Sequence, residues 1–349
     1  MIGLDLPDEW VFRLLIDTIG LLIVVTLLLA AVAIRLRRRN SRRAAHFDAL
    51  EAEWTPLLGA VLYEGADPAR LHERVSASDA EHFMVFVNRY AERVRGAELQ
   101  QLQGLAAPYV GGLVRRVGRG SPESRAQRVR LIADLGMPEH TDVVLESLDD
   151  PSPLVAMIAA RRLFRPGNEQ HFDAVLARLD RFGEWSRRFL AGMLAAGGPA
   201  VAPALVRMLT DRGRSEEDRA VAAEALTLLH EIDAASLAAR ELETAETRSL
   251  GVALLRLLQA VGGPREADAV RARMSALDPI VRQAAVETLG ALGDMGDAER
   301  IVGRLEDPSP WVRMRAASAL ETLGAREALL RAAEGDGAGS VAAAEVLSA

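Results

Sequence analysis

The residues best suited to metal or acid–base chemistry in this chain are six histidines, at 46, 72, 82, 140, 171 and 230, and none lies at metal-ligand spacing from another. His230-Glu231 runs on into Ile232-Asp233-Ala234, so the second histidine of a helical zinc motif is missing. The 349 residues include no cysteine, which excludes disulfides, thiolate nucleophiles, zinc fingers and iron–sulfur clusters. All 42 basic residues are arginine, which excludes the phosphate-loop lysine, the Schiff-base lysine and a lysine general base. Gly111-Gly112, Gly197-Gly198 and Gly262-Gly263 have no strand before them to aim a phosphate-binding turn and read as helix stops. The Gly335–Ser340 segment lacks the alternating oxygen ligands of a calcium loop. The sequence therefore predicts no catalytic residue, no cofactor and no metal, and a chain that is not an enzyme.

The remaining chemistry belongs to arginine. Arg125, Arg187, Arg219, Arg248, Arg282 and Arg313 recur near the start of successive helices, so stacking of those helices sets them in a row. A second set, Arg128, Arg130, Arg161, Arg162, Arg188 and Arg315, is expected to line a concave face and clamp an acidic or phosphorylated partner. Trp311, in a turn, reads either as a plug between units or as a partner hot spot.

These arginines are carried by a repeat. Asp150-Pro151-Ser152-Pro153 returns as Asp307-Pro308-Ser309-Pro310, and Val281–Gly293 matches the segment that begins 31 residues later at Val312. Apolar residues fall at +4, +8 and +11 from Val281, one stripe of an α-helix, and the glycine at +12 is a stop. Equivalent stops stand at Gly136, Gly167, Gly198, His230, Gly262 and Gly324, each preceded by a second amphipathic helix. Ser121-Pro122, Ser152-Pro153 and Ser309-Pro310 place a capping hydroxyl before a proline at the first helical position. A helix pair of this length cannot bury both its apolar stripes alone, so the pairs must stack into a solenoid. Aromatic content of 4% and few β-branched residues agree with an all-α fold.

The Asp-Pro turns at 150, 278 and 307 and the Val-Arg pairs Val281-Arg282 and Val312-Arg313 resemble HEAT repeats, in the short bacterial form that is also similar to phycobilisome-lyase repeats. The resemblance covers about seven units over residues 98–324, followed by a capping helix pair at 325–349. It implies an α-α superhelix in which Arg282 and Arg313 form a structural ladder with Asp150, Asp278 and Asp307. Binding of protein partners is implied too, as is, through the lyase likeness, a bilin-binding or bilin-attaching alternative.

Thr18–Ile34 is free of charge, and extending the stretch back to Val11 admits only Arg13 and Asp17. A helix over 11–34 is long enough for a hydrocarbon core of about 30 Å. Arg35, Arg37, Arg38, Arg39, Arg42 and Arg43 follow it, whereas Asp5, Asp8 and Glu9 precede it. That order predicts a single-pass anchor in the inner membrane, residues 1–10 outside and the remainder cytoplasmic, with Trp10 at the outer interface. Signal peptides are basic before the apolar core, not after it. Arg13 and Asp17, four apart, either pair with each other or meet a neighbouring transmembrane helix. Residues 35–45 form a basic juxtamembrane segment that also suits anionic lipid. Residues 46–97 are helical without the repeat signature, with helix starts at Asp67-Pro68 and at Ser78 with Glu81. Phe83, Val85, Phe86, Val87 and Tyr90 there are either the packing face of an N-terminal cap or a docking face.

The first 47 residues carry seven Arg against four acids, so the rest is more acidic than the whole chain's −7, which argues against nucleic acid. The expected function is a membrane-anchored scaffold that recruits or regulates a membrane-associated protein, for example as accessory subunit of a glycosyltransferase. A sensor of anionic lipid using the arginine rows is the further alternative.

Overall fold

A computed structural model describes residues 9–348; residues 1–8 and 349 lie outside it, as do the side chains of 9–13, 15, 36, 39 and 40. The expectations for Trp10, for the Arg13 half of the Arg13/Asp17 pair and for Arg39 therefore lie outside the described side chains. Among the described residues all regular structure is helical, in two compact units that divide between Leu113 and Val114.

In the first unit, α1 (Glu9–Tyr63) is followed by α2 (Ala69–His72), α3 (Ala80–Ala91) and α4 (Ala97–Val114), whose final residue opens the second unit. α1 is one helix of 55 residues, about 80 Å at 1.5 Å per residue. The expected boundaries at 34/35 and 45/46 are not breaks, because the chain offers no glycine or proline between Gly20 and Pro56 and the arginine-rich segment is made of good helix formers. Ile16–Arg35 is long and apolar enough to cross a membrane, with a mean hydropathy of 2.5 and none of it buried. Arg35, its last residue, and Arg37 and Arg38 just beyond it are exposed.

Farther along, the same helix becomes core: Trp54, Leu58 and Val61 are buried. The Trp54 ring meets Phe83 edge-on at 5.2 Å and Phe86 at 5.6 Å, and its indole N–H donates to the Arg74 carbonyl at 3.3 Å. Phe83, Phe86 and Val87 are thus interior to this unit and do not form a docking face. α3 starts after Asp79 with no side-chain cap, since the Ser78 hydroxyl is engaged with Ser76. The Asp67 start is present, its carboxylate accepting the Ala69 N–H at 2.9 Å.

The second unit is an α-α solenoid. Its long second helices are α5 (Pro122–Leu135), α7 (Pro153–Leu163), α9 (Arg187–Ala195), α11 (Glu216–Leu229), α13 (Arg248–Val261), α15 (Pro279–Leu292) and α17 (Pro310–Leu323). Interleaved first helices are α6 (Thr141–Glu146), α8 (Phe172–Leu176), α10 (Ala202–Thr210), α12 (Ala235–Thr244), α14 (Ala267–Arg273) and α16 (Ala298–Val302). The row closes on α18 (Arg326–Glu334) and α19 (Ser340–Ser348). α11, α13, α15 and α17 pack in succession, and the predicted stripe Ala285, Leu289 and Leu292 is buried between them. α15 and α17 approach closely at Gly290, where an added Cβ would lie 2.6 Å from the Ala319 Cβ.

Of the expected stops, Gly167 and Gly198 lie beyond the actual C-caps, Phe164 of α7 and Ala196 of α9, and the other five divide into two kinds. Gly136 and Gly324 are left-handed C-caps, and His230 takes the same conformation at φ 54°. Gly262 and Gly293 are extended; there a Cβ would strike the Leu258 or Leu289 carbonyl oxygen at 2.5 and 2.6 Å. Caps differ from expectation as well. Ser121 caps α5, but the Ser152 and Ser309 hydroxyls cap nothing. Their N–H groups instead donate to Asp150 and Asp307 at 2.8 and 2.9 Å, because an aspartate two residues upstream supplies the stronger, charged acceptor.

Candidate functional site

The recurrent arginines occupy two helix positions, which the sequence reading merged. Arg187 and Arg248 are the first residues of α9 and α13, whereas Arg125, Arg219, Arg282 and Arg313 are the fourth residues of α5, α11, α15 and α17. The turn aspartates separate in the same way. Asp278 is itself the N-cap of α15 and accepts the Ile280 N–H at 2.8 Å, while Asp150 and Asp307 lie two residues before the caps Ser152 and Ser309.

Three of the four fourth-position arginines share one pose. One Nη1 of Arg125 donates to the Gly120 carbonyl at 2.9 Å, that of Arg282 to Ala276 and Leu277 at 3.0 and 2.9 Å, and that of Arg313 to Asp307 and Pro308 at 2.8 and 3.3 Å. The other edge of the guanidinium, Nε with Nη2, faces the next unit. Arg125 holds both Asp150 oxygens with it at 2.9 and 2.8 Å, and Arg282 holds both Asp307 oxygens at the same distances. Arg219 is the buried variant: Nε donates to the Leu209 carbonyl at 2.8 Å and Nη2 to Glu241 at 2.5 Å. In the first-position register Arg248 meets Asp278 at 2.5 Å, and Arg187 meets Glu224 at 2.8 Å and Glu217 at 3.3 Å. Arg313 is the correction to the expected ladder, for no carboxylate pairs with it among the described residues.

Burial would raise the Asp307 and Asp150 carboxyls, but the bidentate arginine and the serine N–H outweigh it and hold both below the usual carboxylate range. Asp297, 1% exposed, is held low by the Arg271 fork at 2.6 and 2.8 Å. Sequence reasoning missed this rung and Glu241. The signal for Asp297 was its place three residues after Asp294, whose backbone N–H it accepts at 3.3 Å.

Of the six arginines expected to line a concave face, four are engaged within the chain. Arg162 and Arg130 converge on the buried Asp134 carboxylate, with Arg165 3.4 Å away. Arg128 donates to the Arg116 and Arg119 carbonyls at 3.0 and 2.7 Å, fastening a loop. Arg315 lies 3.5 Å from Glu287, and Arg161 and Arg188 are exposed. Trp311 is 72% exposed, which removes the plug reading: as second residue of α17 it points away from the α15–α17 seam. Ile280 and the fully exposed Leu277 lie at the corresponding edge of the preceding unit.

A cavity of about 280 Å³ opens between successive units and is lined by His140, Arg162, Asn168 and His171, among others. Among the described residues no group of three or more His, Cys, Asp or Glu is placed to hold a metal ion.

Residues 238–321 and 267–348 match the family model for HEAT repeats. Among solved structures, human deoxyhypusine hydroxylase in complex with glycerol is similar at 16% identity, covering 79% of this chain and 98% of that one, with a TM-score of 0.32. Kap121p bound to Ste12p is similar at 13% identity over 86% of this chain and 41% of that one, with a TM-score of 0.47. The complex of CpcE and CpcF of phycocyanin lyase from Nostoc sp. PCC7120 is similar at 17% identity over 75% and 92%, with a TM-score of 0.27. No curated protein matches the chain.

Proposed function

We propose that this chain is a membrane-anchored HEAT-repeat scaffold that holds a protein partner at the cytoplasmic face of the inner membrane and carries out no reaction of its own. The observation that supports it best is the combination of a carboxylate-braced row of helix pairs bearing HEAT repeats with an exposed apolar edge at Leu277, Ile280 and Trp311. Rows of helix pairs offer long surfaces suited to extended partners, and an exposed tryptophan is the residue type that most often anchors one.

The anchor is Ile16–Arg35, and the arginines beyond it keep the solenoid on the cytoplasmic side. Because α1 continues unbroken from that segment to the buried Trp54, the first unit is fastened to the anchor by helix and not by a slack linker. Tethering raises the effective concentration of the scaffold toward any membrane-resident partner; an accessory role beside a membrane enzyme such as a glycosyltransferase is the concrete form of this reading.

The test is site-specific photo-crosslinking in native membranes, with the cross-linker at Leu277 and, as control, at Tyr63. One dominant adduct at Leu277 that survives dilution supports the scaffold. Absence of any adduct from the solenoid edge, or a catalytic turnover by the purified chain, overturns it.

A further inference from the structure

The ladder ends in an unfilled carboxylate fork. Arg282 and Arg313 are 31 residues apart, occupy the same position of adjacent helices, and hook the same kind of upstream carbonyls through Nη1. Arg282 and Arg125 each find their carboxylate 25 residues downstream, at Asp307 and Asp150. Twenty-five residues beyond Arg313 stands Ala338, in Ala338-Gly339-Ser340, which aligns in sequence with Asp307-Pro308-Ser309 with the aspartate replaced. Ala338 is exposed, and Arg313 is only partly covered. The Nε and Nη2 edge of Arg313 thus belongs to a guanidinium hooked as at two other rungs, where that edge takes both oxygens of a carboxylate, and among the described residues no carboxylate pairs with it.

We infer that Arg313 is the docking point for a carboxylate supplied by an acidic segment of a protein partner, with the exposed Trp311 receiving the apolar side chain next to that carboxylate. A bidentate arginine–carboxylate contact fixes register and orientation. A guanidinium already pinned by two carbonyls loses little freedom on binding. Trp311, two residues earlier in the first turn of α17, offers the apolar contact that a lone ion pair at a wet surface lacks. The inference rests on the scaffold reading but concerns one end of the solenoid only.

The test uses the full chain in detergent, labelled with 5-fluorotryptophan, with the Trp311 signal assigned through Trp311→Phe. The probe is a capped peptide copying residues 305–310, and its Asp307→Asn form is the control. The fork predicts a saturable shift of the Trp311 resonance and at least fivefold weaker binding of the Asn peptide. Ala338→Asp, which places a carboxylate at the position aligned with Asp307, should weaken the Asp peptide at least fivefold, as should Arg313→Gln. Equal binding of the two peptides, or no effect of Ala338→Asp, overturns the inference. Displacement of the peptide by an equal concentration of inorganic phosphate also overturns it, because the fork is then a general anion site. If the Leu277 cross-link forms and is unchanged by Ala338→Asp, the fork fails while the scaffold stands. If that cross-link is absent but the peptides discriminate, the scaffold fails while the fork stands.

Discussion

Replacing Asp307 by Asn isolates what one filled rung contributes. The Asp307 side chain is 2% exposed, accepts Nε and Nη2 of Arg282 at 2.9 and 2.8 Å and takes the Ser309 N–H at 2.9 Å. Removing one partner from a buried ion pair costs about 3–5 kcal/mol. Here asparagine keeps an acceptor for the Ser309 N–H, and Arg282 keeps the Ala276 and Leu277 carbonyls, so the expected loss is about 2–3 kcal/mol. A row of helix pairs opens locally, so the assay is native-state hydrogen exchange, comparing α15 and α17 with α5 in the same molecule. Protection in α15 and α17 should fall by about 30- to 150-fold, with α5 unchanged. Asp173→Asn is the control, because the Asp173–Arg207 pair is 75% and 62% exposed and should change protection by no more than about twofold. The reasoning is refuted if Asp307→Asn stays within about 0.5 kcal/mol of the parent, or if it costs as much when Arg282 has first been replaced by Met.

Other outcomes follow from the same contacts. Gly290→Ala drives a methyl into Ala319 and should destabilise by about 1–3 kcal/mol, whereas Gly192→Ala, with open space around it, should be neutral or stabilising by up to about 1 kcal/mol; urea titration of the two variants checks the pair. Asp150, Asp278, Asp297 and Asp307 are all held below the usual carboxylate range. Their contribution is therefore fully present above the unfolded carboxyl value of about 3.9 and lost as pH falls through the lower folded values. Circular dichroism should accordingly show a second unit flat between about pH 7 and 5 that unfolds below about pH 4, and a midpoint above pH 5 contradicts this. Burial lowers His82 despite Glu51 3.1 Å away, so neutral His82 stabilises the first unit above the unfolded histidine value of about 6.5, and this is lost as pH falls through the lower folded value. Its NMR titration midpoint should lie below about 6.5, and a higher midpoint refutes the burial argument.

Architecture was legible where one unit is written twice. Val281–Gly293 and its copy from Val312 mark the second helix of a pair, its stripe and its stop, and α15 and α17 occupy those residues. The ladder was legible in kind but not in register. Asp-Pro reads alike whether the aspartate is the cap itself, as at Asp278, or two residues ahead of it, as at Asp307, and only backbone geometry separates the two. Charge marked an apparent boundary at Arg35, yet helix propensity ignores charge sign, so α1 runs through it. Trp311 misled through its size: a large apolar residue suggests a plug, but its place in the first turn decides which way it faces. Arg128, Arg130 and Arg162, expected on a concave face, are engaged elsewhere, because counting cations does not reveal the carbonyls of Arg116 and Arg119 or the buried Asp134 that claim them.

The central claim is an anchored solenoid on the cytoplasmic side, and the chain's lack of cysteine makes one measurement direct. Leu277→Cys places a thiol at a position 99% exposed at the solenoid edge. Sealed right-side-out and inside-out membrane vesicles carrying this variant are treated with a membrane-impermeant maleimide after an alkaline wash. The account predicts that the chain stays with the membrane and is labelled only in inside-out vesicles. Labelling in right-side-out vesicles, or recovery of the chain in the wash, contradicts it.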